Sequence, residues 1–247
     1  QQVKLVLGIL QADDVLGNLV EDHGEYPLMF ERLLRAANSN PQLQLEFVTY
    51  KVNKGIYPAD IDEVDAYIMT GSKSSVYEQT PWVLELGKFV RSLHQRQKKF
   101  IGICFGHQMV AQALGGETRP AENGWSLGTK QTTPQRNAKP EAQPNLLAGK
   151  SFKLIYSHQD QVVVPAPGTV ILASTNSCPI AATSLGKHIL TFQGHPEFFA
   201  DYSRALYQFR RPAYPPETYA AAMASLDQDA DQDWVAKLMI DFCLAPQ

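Results

Sequence analysis

Cysteine is scarce in this chain: Cys104, Cys178 and Cys243 are the three thiols in 247 residues. They are too few and too scattered for a disulfide framework, and no CxxC pair supplies half of a zinc site. A reducing compartment suits that usage. Long apolar runs are missing too. None approaches the ~18 residues needed to span a bilayer, and the opening QQVKLVLGILQADD meets acidic residues too early for a signal peptide. The expectation is a cytoplasmic protein with no membrane association. Nor does one sign of charge dominate: 22 Lys and Arg against 25 Asp and Glu leave a formal net charge of -3. Nothing electrostatic therefore favours nucleic acid or an anionic membrane as partner, which leaves a small molecule or another protein. Internal repeats and long linkers are also absent. One large domain over 1–247 is expected, because a chain of this length buries roughly 75% of its extended surface in a single α/β fold.

What is present is an alternation of short apolar runs and helical patterns. VKLVLGIL is almost continuously apolar, as a strand covered on both faces must be. YPLMFERLLRAAN follows, with Leu28, Phe30, Leu33, Leu34 and Ala37 near helical spacing. LEFVTYKV and VDAYIMTG read as the next strands. TPWVLELGKFVRSLHQRQ reads as a helix with Thr80 as N-cap and Pro81 in its first turn. KFIGIC is then a strand and GHQMVAQALGG a helix. This βαβ order predicts an α/β, doubly wound, mostly parallel sheet with flanking helices. The second half holds strand-like pieces at short intervals, SLGTKQTTP, SFKLIYSHQDQVVV, TVILAST, IAATSLG and KHILTFQ, which predict a small added β layer. Residues 200–247 return to helix as a C-terminal extension, and the acidic DQDADQD run reads as a solvated helix start.

The chemistry gathers at Gly102-Ile103-Cys104-Phe105-Gly106, where a strand passes directly into a helix. A free cysteine is usually a small buried hydrophobe, but a merely packed one needs no glycine on both sides of a sharp corner. The two glycines admit a strained turn that points the central side chain outward. The helix start directs its amides at the sulfur and favours the thiolate, the reactive form. Cys178 and Cys243 lack such a setting and read as packing residues. Cys104 and His107 as a metal pair would need further ligands at zinc-like spacing, which are missing.

A thiolate needs a proton donor for its leaving group. Of six histidines, His94 and His188 read as surface residues, His23 likewise, and His107 lies too close in sequence to reach back over the sulfur. His195 in TFQGHPEFF is the candidate. Pro196 biases it toward an extended backbone, in which Glu197, two residues on, points to the same side and can orient the imidazole. For the oxyanion of an acyl-transfer intermediate, one donor is expected from the amide of Phe105, and a second from Gly71 and Ser72 in the turn MTGSKSS. Both lie at the carboxyl edge of the sheet, where ligands bind in open α/β folds.

With those residues assembled, the chain resembles the class I glutamine amidotransferases. Their hallmark, a Gly-x-Cys-x-Gly-His-Gln elbow followed about ninety residues later by His-Pro-Glu, stands here as residues 102–108 and 195–197. The resemblance runs over residues 3–199 and is strongest toward the glutaminase half of GMP synthase and the plant γ-glutamyl peptidases. It implies a flavodoxin-like amidotransferase fold and a Cys104–His195–Glu197 triad that attacks the γ-carbonyl of glutamine, releasing ammonia and then glutamate. It also implies Gln108, with Ser157 and His158 of SHQDQVV, as substrate-binding residues, and no metal or organic cofactor. One departure stands out: Gly71-Ser72-Lys73 replaces the Gly-Gly-Pro that many members carry at the oxyanion turn.

Two destinations follow for the nitrogen. Either a separate synthetase accepts the ammonia, or the protein acts alone on γ-glutamyl compounds such as glutathione conjugates, with EDHGEYP lining the leaving-group side. A non-catalytic regulatory module is disfavoured, since a retired site has no need of an elbow. An α/β-hydrolase with cysteine at the elbow is disfavoured by chain order, because that fold places its acid before its histidine and Glu197 follows His195.

Overall fold

The computed structural model describes residues 1–135 and 146–247. In chain order its elements are β1 (Val3–Leu10), α1 (Leu19–His23), α2 (Tyr26–Ala37), β2 (Leu43–Tyr50), β3 (Ala66–Met69), α3 (Pro81–Gln95), β4 (Phe100–Ile103) and α4 (Phe105–Ala113). Then come β5 (Glu117–Pro120), β6 (Ser126–Pro134), β7 (Phe152–His158), β8 (Asp160–Val164), β9 (Val170–Ser174), β10 (Ala182–Leu185), β11 (Ile189–Phe192), α5 (Ala200–Arg210), α6 (Pro216–Ser225) and α7 (Gln232–Leu244). The fold is α/β, with helices on both faces of one nine-stranded sheet ordered β2-β1-β3-β4-β11-β10-β9-β6-β7.

The inner strands show why their sequences are apolar without alternation. In β1, Leu5, Leu7 and Ile9 point into a core shared with Phe30, Leu33 and Leu34 of α2 and Val235 and Met239 of α7. Leu10 and Val6 point the other way, toward Val83, Leu86 and Val90 of α3 and Met109 of α4. β3 and β4 divide in the same way, Ile68 and Ile101 to one core and Tyr67 and Phe100 to the other. Each fully buried side chain of this kind contributes about 1.5–3 kcal/mol. The two-sided burial holds the carboxyl ends of β3, β4 and β11 in one line.

The second half differs from a separate layer. β11 joins β4 in parallel, and β10, β9, β6 and β7 continue the same sheet antiparallel. The added layer is confined to β5 and β8, paired with each other. SFKLIYSHQDQVVV is thus two strands in two sheets, and its corner at Gln159 lies beside the site. Thr80 occupies the N-cap position of α3 without a side-chain cap bond. The start of α7 is docked, not simply solvated: the Asp231 carboxylate accepts from the Lys153 amide at 2.7 Å, and its own amide donates to Lys153 O at 2.7 Å. No helix among the described residues is long and apolar enough to cross a membrane.

Candidate active site

β4 ends at Ile103, and the next residue turns the chain. Cys104 has φ +53° and ψ −101°, a conformation L residues rarely adopt, and its amide is tied to Phe192 O of β11 at 2.8 Å. The flanking glycines make the corner sterically open. A Cβ on Gly102 would lie 2.5 Å from Gly106 O, and one on Gly106 would lie 2.9 Å from Met69 O. α4 begins at once, with Cys104 in its N-cap position. The sulfur looks into a narrow cavity of about 30 Å³ walled by Tyr26, Gly71, Ser72, Ser157, His195 and Phe198, with Lys73, Leu206 and Arg210 completing it.

β11 runs parallel to β4, so the segment leaving it arrives beside the elbow. The His195 amide donates to Ile155 O of β7 at 2.8 Å, which pins the backbone, and the ring lies flat on Phe198 with centroids 3.8 Å apart. Nδ1 donates to Glu197 Oε2 at 3.0 Å, both side chains being buried. The carboxylate can only accept, so the Nδ1 hydrogen is held there and Nε2 is left for the sulfur. Burial alone would lower the imidazole's pKa. The negative charge of Glu197, and that of the Cys104 sulfur with its hydrogen bond to the ring, outweigh it and raise the value from 6.5 to about 10.

The turn after β3 forms the opposite wall. A Cβ on Gly71 would lie 3.0 Å from His195 Cε1 and 3.6 Å from Cys104 Cβ, so the turn approaches the pair as closely as glycine allows. Among the described residues the Gly71 and Ser72 amides carry no hydrogen bond, whereas the Lys73 amide donates to Asp13 Oδ2 at 2.9 Å. Asp13 also accepts from Lys73 Nζ at 2.7 Å. Where Gly-Gly-Pro would stiffen this turn by its ring, Gly71-Ser72-Lys73 is fastened by a buried carboxylate. Sequence reasoning overlooked Asp13; the signal was an acid three residues beyond the end of the first strand, in QADD. The Phe105 amide sits at the first turn of α4, on the same side of the elbow.

Of the three residues expected to hold substrate, Ser157 lines the cavity. Gln108 and His158 stand behind it, both buried. Gln108 Nε2 donates to Asp160 O at 2.9 Å, and His158 Nδ1 donates to the same carbonyl at 2.8 Å. Burial pulls the pKa of His158 down to about 4, with the nearby His195 adding to the effect, so its ring is neutral. Both thus bond the corner at Gln159 through the Asp160 carbonyl. EDHGEYP contributes Tyr26 to the wall, while His23 packs edge-on against Tyr202 at 5.4 Å.

The remaining histidines divide by packing. His107, on the buried face of α4, is bonded to Thr191 Oγ1 at 2.7 Å and Ile180 O at 3.1 Å, and burial lowers its pKa to about 3. Both ring nitrogens are therefore spent. His188 is buried, not a surface residue, because its ring stacks on His94 with Nε2 2.9 Å from His94 Nδ1. Cys178 is buried and its thiol is pushed up to about 12 by desolvation. No group of three His, Cys, Asp or Glu among the described residues is arranged to hold a metal. A larger cavity of about 670 Å³ between α2, α5 and α7, lined by Met29, Leu33 and Tyr202, lies behind Glu197 and away from the sulfur. Size alone would have chosen the wrong one. The small cavity combines a sulfur, a ring held from behind by the Glu197 carboxylate, and free amides, which is what attack on an unreactive carbonyl requires.

Comparison with known proteins bears on the family of the chain. The family described as glutamine amidotransferase class-I matches residues 29–210, so the similarity extends beyond the limit expected at Phe199. The chain is 28% identical over 248 residues to a glutamine amidotransferase-like protein of Schizosaccharomyces pombe, covering 96% of this chain and 98% of that one. It is 31% identical over 152 residues to gamma-glutamyl peptidase 5 of Arabidopsis thaliana, covering 60% of this chain and 61% of the peptidase. A glutamine-hydrolyzing GMP synthase of Caldanaerobacter subterraneus is 30% identical over 182 residues, 70% of this chain and 31% of the synthase. A solved glutamine amido transferase from Methylobacillus flagellatus superposes with a TM-score of 0.71 at 20% identity, covering 99% and 95% of the two chains, a likeness of fold.

Proposed function

The chain belongs to the class I glutamine amidotransferase family, and we propose that within it Cys104, His195 and Glu197 hydrolyse the γ-amide of glutamine through a γ-glutamyl thioester. The observation that carries this reading is the elbow at Cys104, φ +53°, facing a ring whose other nitrogen is held by Glu197 at 3.0 Å. A packed cysteine has no use for that backbone strain. The thiolate attacks the γ-carbonyl carbon, forming C–S while the π pair moves to oxygen. The amides of Phe105, Gly71 and Ser72 receive that oxyanion, each donor being worth ~10²–10³ in rate. As the oxyanion collapses, C–N breaks and the nitrogen takes the Nε2 proton of His195, leaving as ammonia. Water then attacks the thioester, returns a proton to Nε2, and C–S breaks to give glutamate and the thiolate. Similarity to the GMP synthase supports a separate synthetase as acceptor of the ammonia.

A second reading, hydrolysis of γ-glutamyl peptides, is favoured by the 31% identity to gamma-glutamyl peptidase 5. The triad chemistry is unchanged; the leaving group is an amino acid instead of ammonia. Lys73 at the cavity is balanced by Asp13, but no carboxylate pairs with Arg210 among the described residues, which leaves its guanidinium for a substrate carboxylate. Glutamate release from glutamine and from γ-glutamyl dipeptides, measured side by side, decides between the readings. C104A is expected to reduce release to background with either substrate, and a diazo-ketone analogue of glutamine is expected to leave one adduct, on Cys104. Turnover persisting in C104A, or labelling of Cys178 or Cys243 instead, would remove the triad reading.

A further inference from the structure

Three residues connect the cavity wall to the sulfur from behind. The Asp160 carbonyl can only accept, so the group of Gln108 facing it at 2.9 Å is the NH₂. That NH₂ also lies 3.2 Å from Gln193 Oε1. The second amide is thereby oriented with its oxygen toward Gln108 and its own NH₂ toward Cys104, whose Sγ is 3.5 Å away. Gln193 is 0% exposed, so water cannot replace either bond. The Asp160 side chain extends the connection to the segment that follows the turn after β3: Oδ2 accepts from Ser75 Oγ at 2.7 Å and Oδ1 from Tyr77 OH at 3.0 Å.

We propose that Gln193 is a further catalytic residue: its amide N–H carries part of the negative charge on the Cys104 sulfur, and Gln108 and Asp160 are positioning residues that keep that N–H aimed. The inference rests on Cys104 being the nucleophile. When C–S forms, the sulfur's electron pair enters the bond and the N–H contact weakens; when water has attacked and C–S breaks, the pair returns to sulfur and the contact strengthens. Gln193 therefore favours the ionised sulfur at rest and as leaving group in the second step. This also explains why Gln108 faces away from the cavity.

The test uses iodoacetamide, which needs no γ-glutamyl recognition. The rate of Cys104 alkylation is followed by mass spectrometry against pH for the full-length wild type, Q193L, Q108M and the double variant. Loss of the donor in Q193L is expected to move the midpoint of alkylation upward by about one pH unit, a tenfold loss of reactive sulfur below the midpoint. Q108M should move it the same way by less, and the double variant no further than Q193L, since both act through one bond. The other charged or titratable groups around the sulfur stay in place: His195 with Glu197 after β11, Lys73 on the turn, Tyr26 of α2, Arg210 of α5 and Cys178 near β10. Coincident profiles in folded Q193L, or additive shifts in the double variant, would overturn the proposal. If Q193L does not fold, an unmoved profile in Q108M would do so. A shifted profile in a protein that turns over no γ-glutamyl compound would keep the relay and remove the proposed substrate; turnover with unmoved profiles would do the reverse.

Discussion

Glu197 uses one carboxylate oxygen on His195 Nδ1, and the other, Oε1, is buried without a partner among the described residues. So costly an arrangement makes sense if the charge itself is the requirement. The imidazole's pKa is raised from 6.5 to about 10 against the lowering effect of burial, with Glu197 the strongest opposing contribution. The sign follows: the ring stays protonated through neutral pH and gives up its proton only as pH rises toward 10. E197Q removes that charge, so the alkaline limb of kcat/KM is expected to move to lower pH, with kcat at pH 7 falling roughly 10²–10⁴-fold. Stability should follow the same window. The stabilising contribution of the protonated ring is complete below 6.5 and is lost as pH rises through about 10, so the wild type's advantage over E197Q in urea midpoints should shrink across that range.

At the scale of elements, the strand–elbow–helix unit and the turn after β3 meet at van der Waals limits. Gly102 cannot become alanine without driving a methyl to 2.5 Å from the backbone oxygen of Gly106. G102A is expected to destabilise the protein by about 1–3 kcal/mol in chemical denaturation, because the methyl meets the backbone of Gly106 and His107, which cannot yield cheaply. Asp13 works across elements, holding the turn of residues 71–73 from the start of the connector that follows β1. In D13N the turn keeps its residues but loses a charged anchor. A fall of roughly tenfold in kcat with little change in KM is expected, less than the 10²–10³ for deleting an oxyanion donor outright. A KM effect of the same size with kcat intact would place Asp13 in substrate binding instead.

For the whole molecule, the C-terminal helices reach the site: α5 walls its cavity with Leu206 and Arg210, and α7 supports it from behind. α7 packs Val235 and Met239 into the same core as α2 and β1, and Gln232 Nε2 donates to Phe198 O at 3.1 Å, one residue from Glu197. Residues 200–247 are thus proposed as part of one cooperative domain, and M239A is expected to cost about 2–5 kcal/mol in a single urea transition seen alike by fluorescence and circular dichroism. Two separated transitions would argue for an independent extension. The elbow, His195 and Glu197 could be read from sequence because their constraints are local: a glycine on each side of one corner, a proline after the histidine, a two-residue step to the acid. Asp13, Gln193 and the uncompensated Arg210 could not, since nothing near them in the chain says what they face. Their partners are set by the order of strands, which brings β11 beside β4 and lays the ends of α2 and α5 over the sulfur. Local sterics and hydrogen-bonding capacity thus determined the corner at Cys104 and the step from His195 to Glu197, while long-range packing alone decided which neighbours face them.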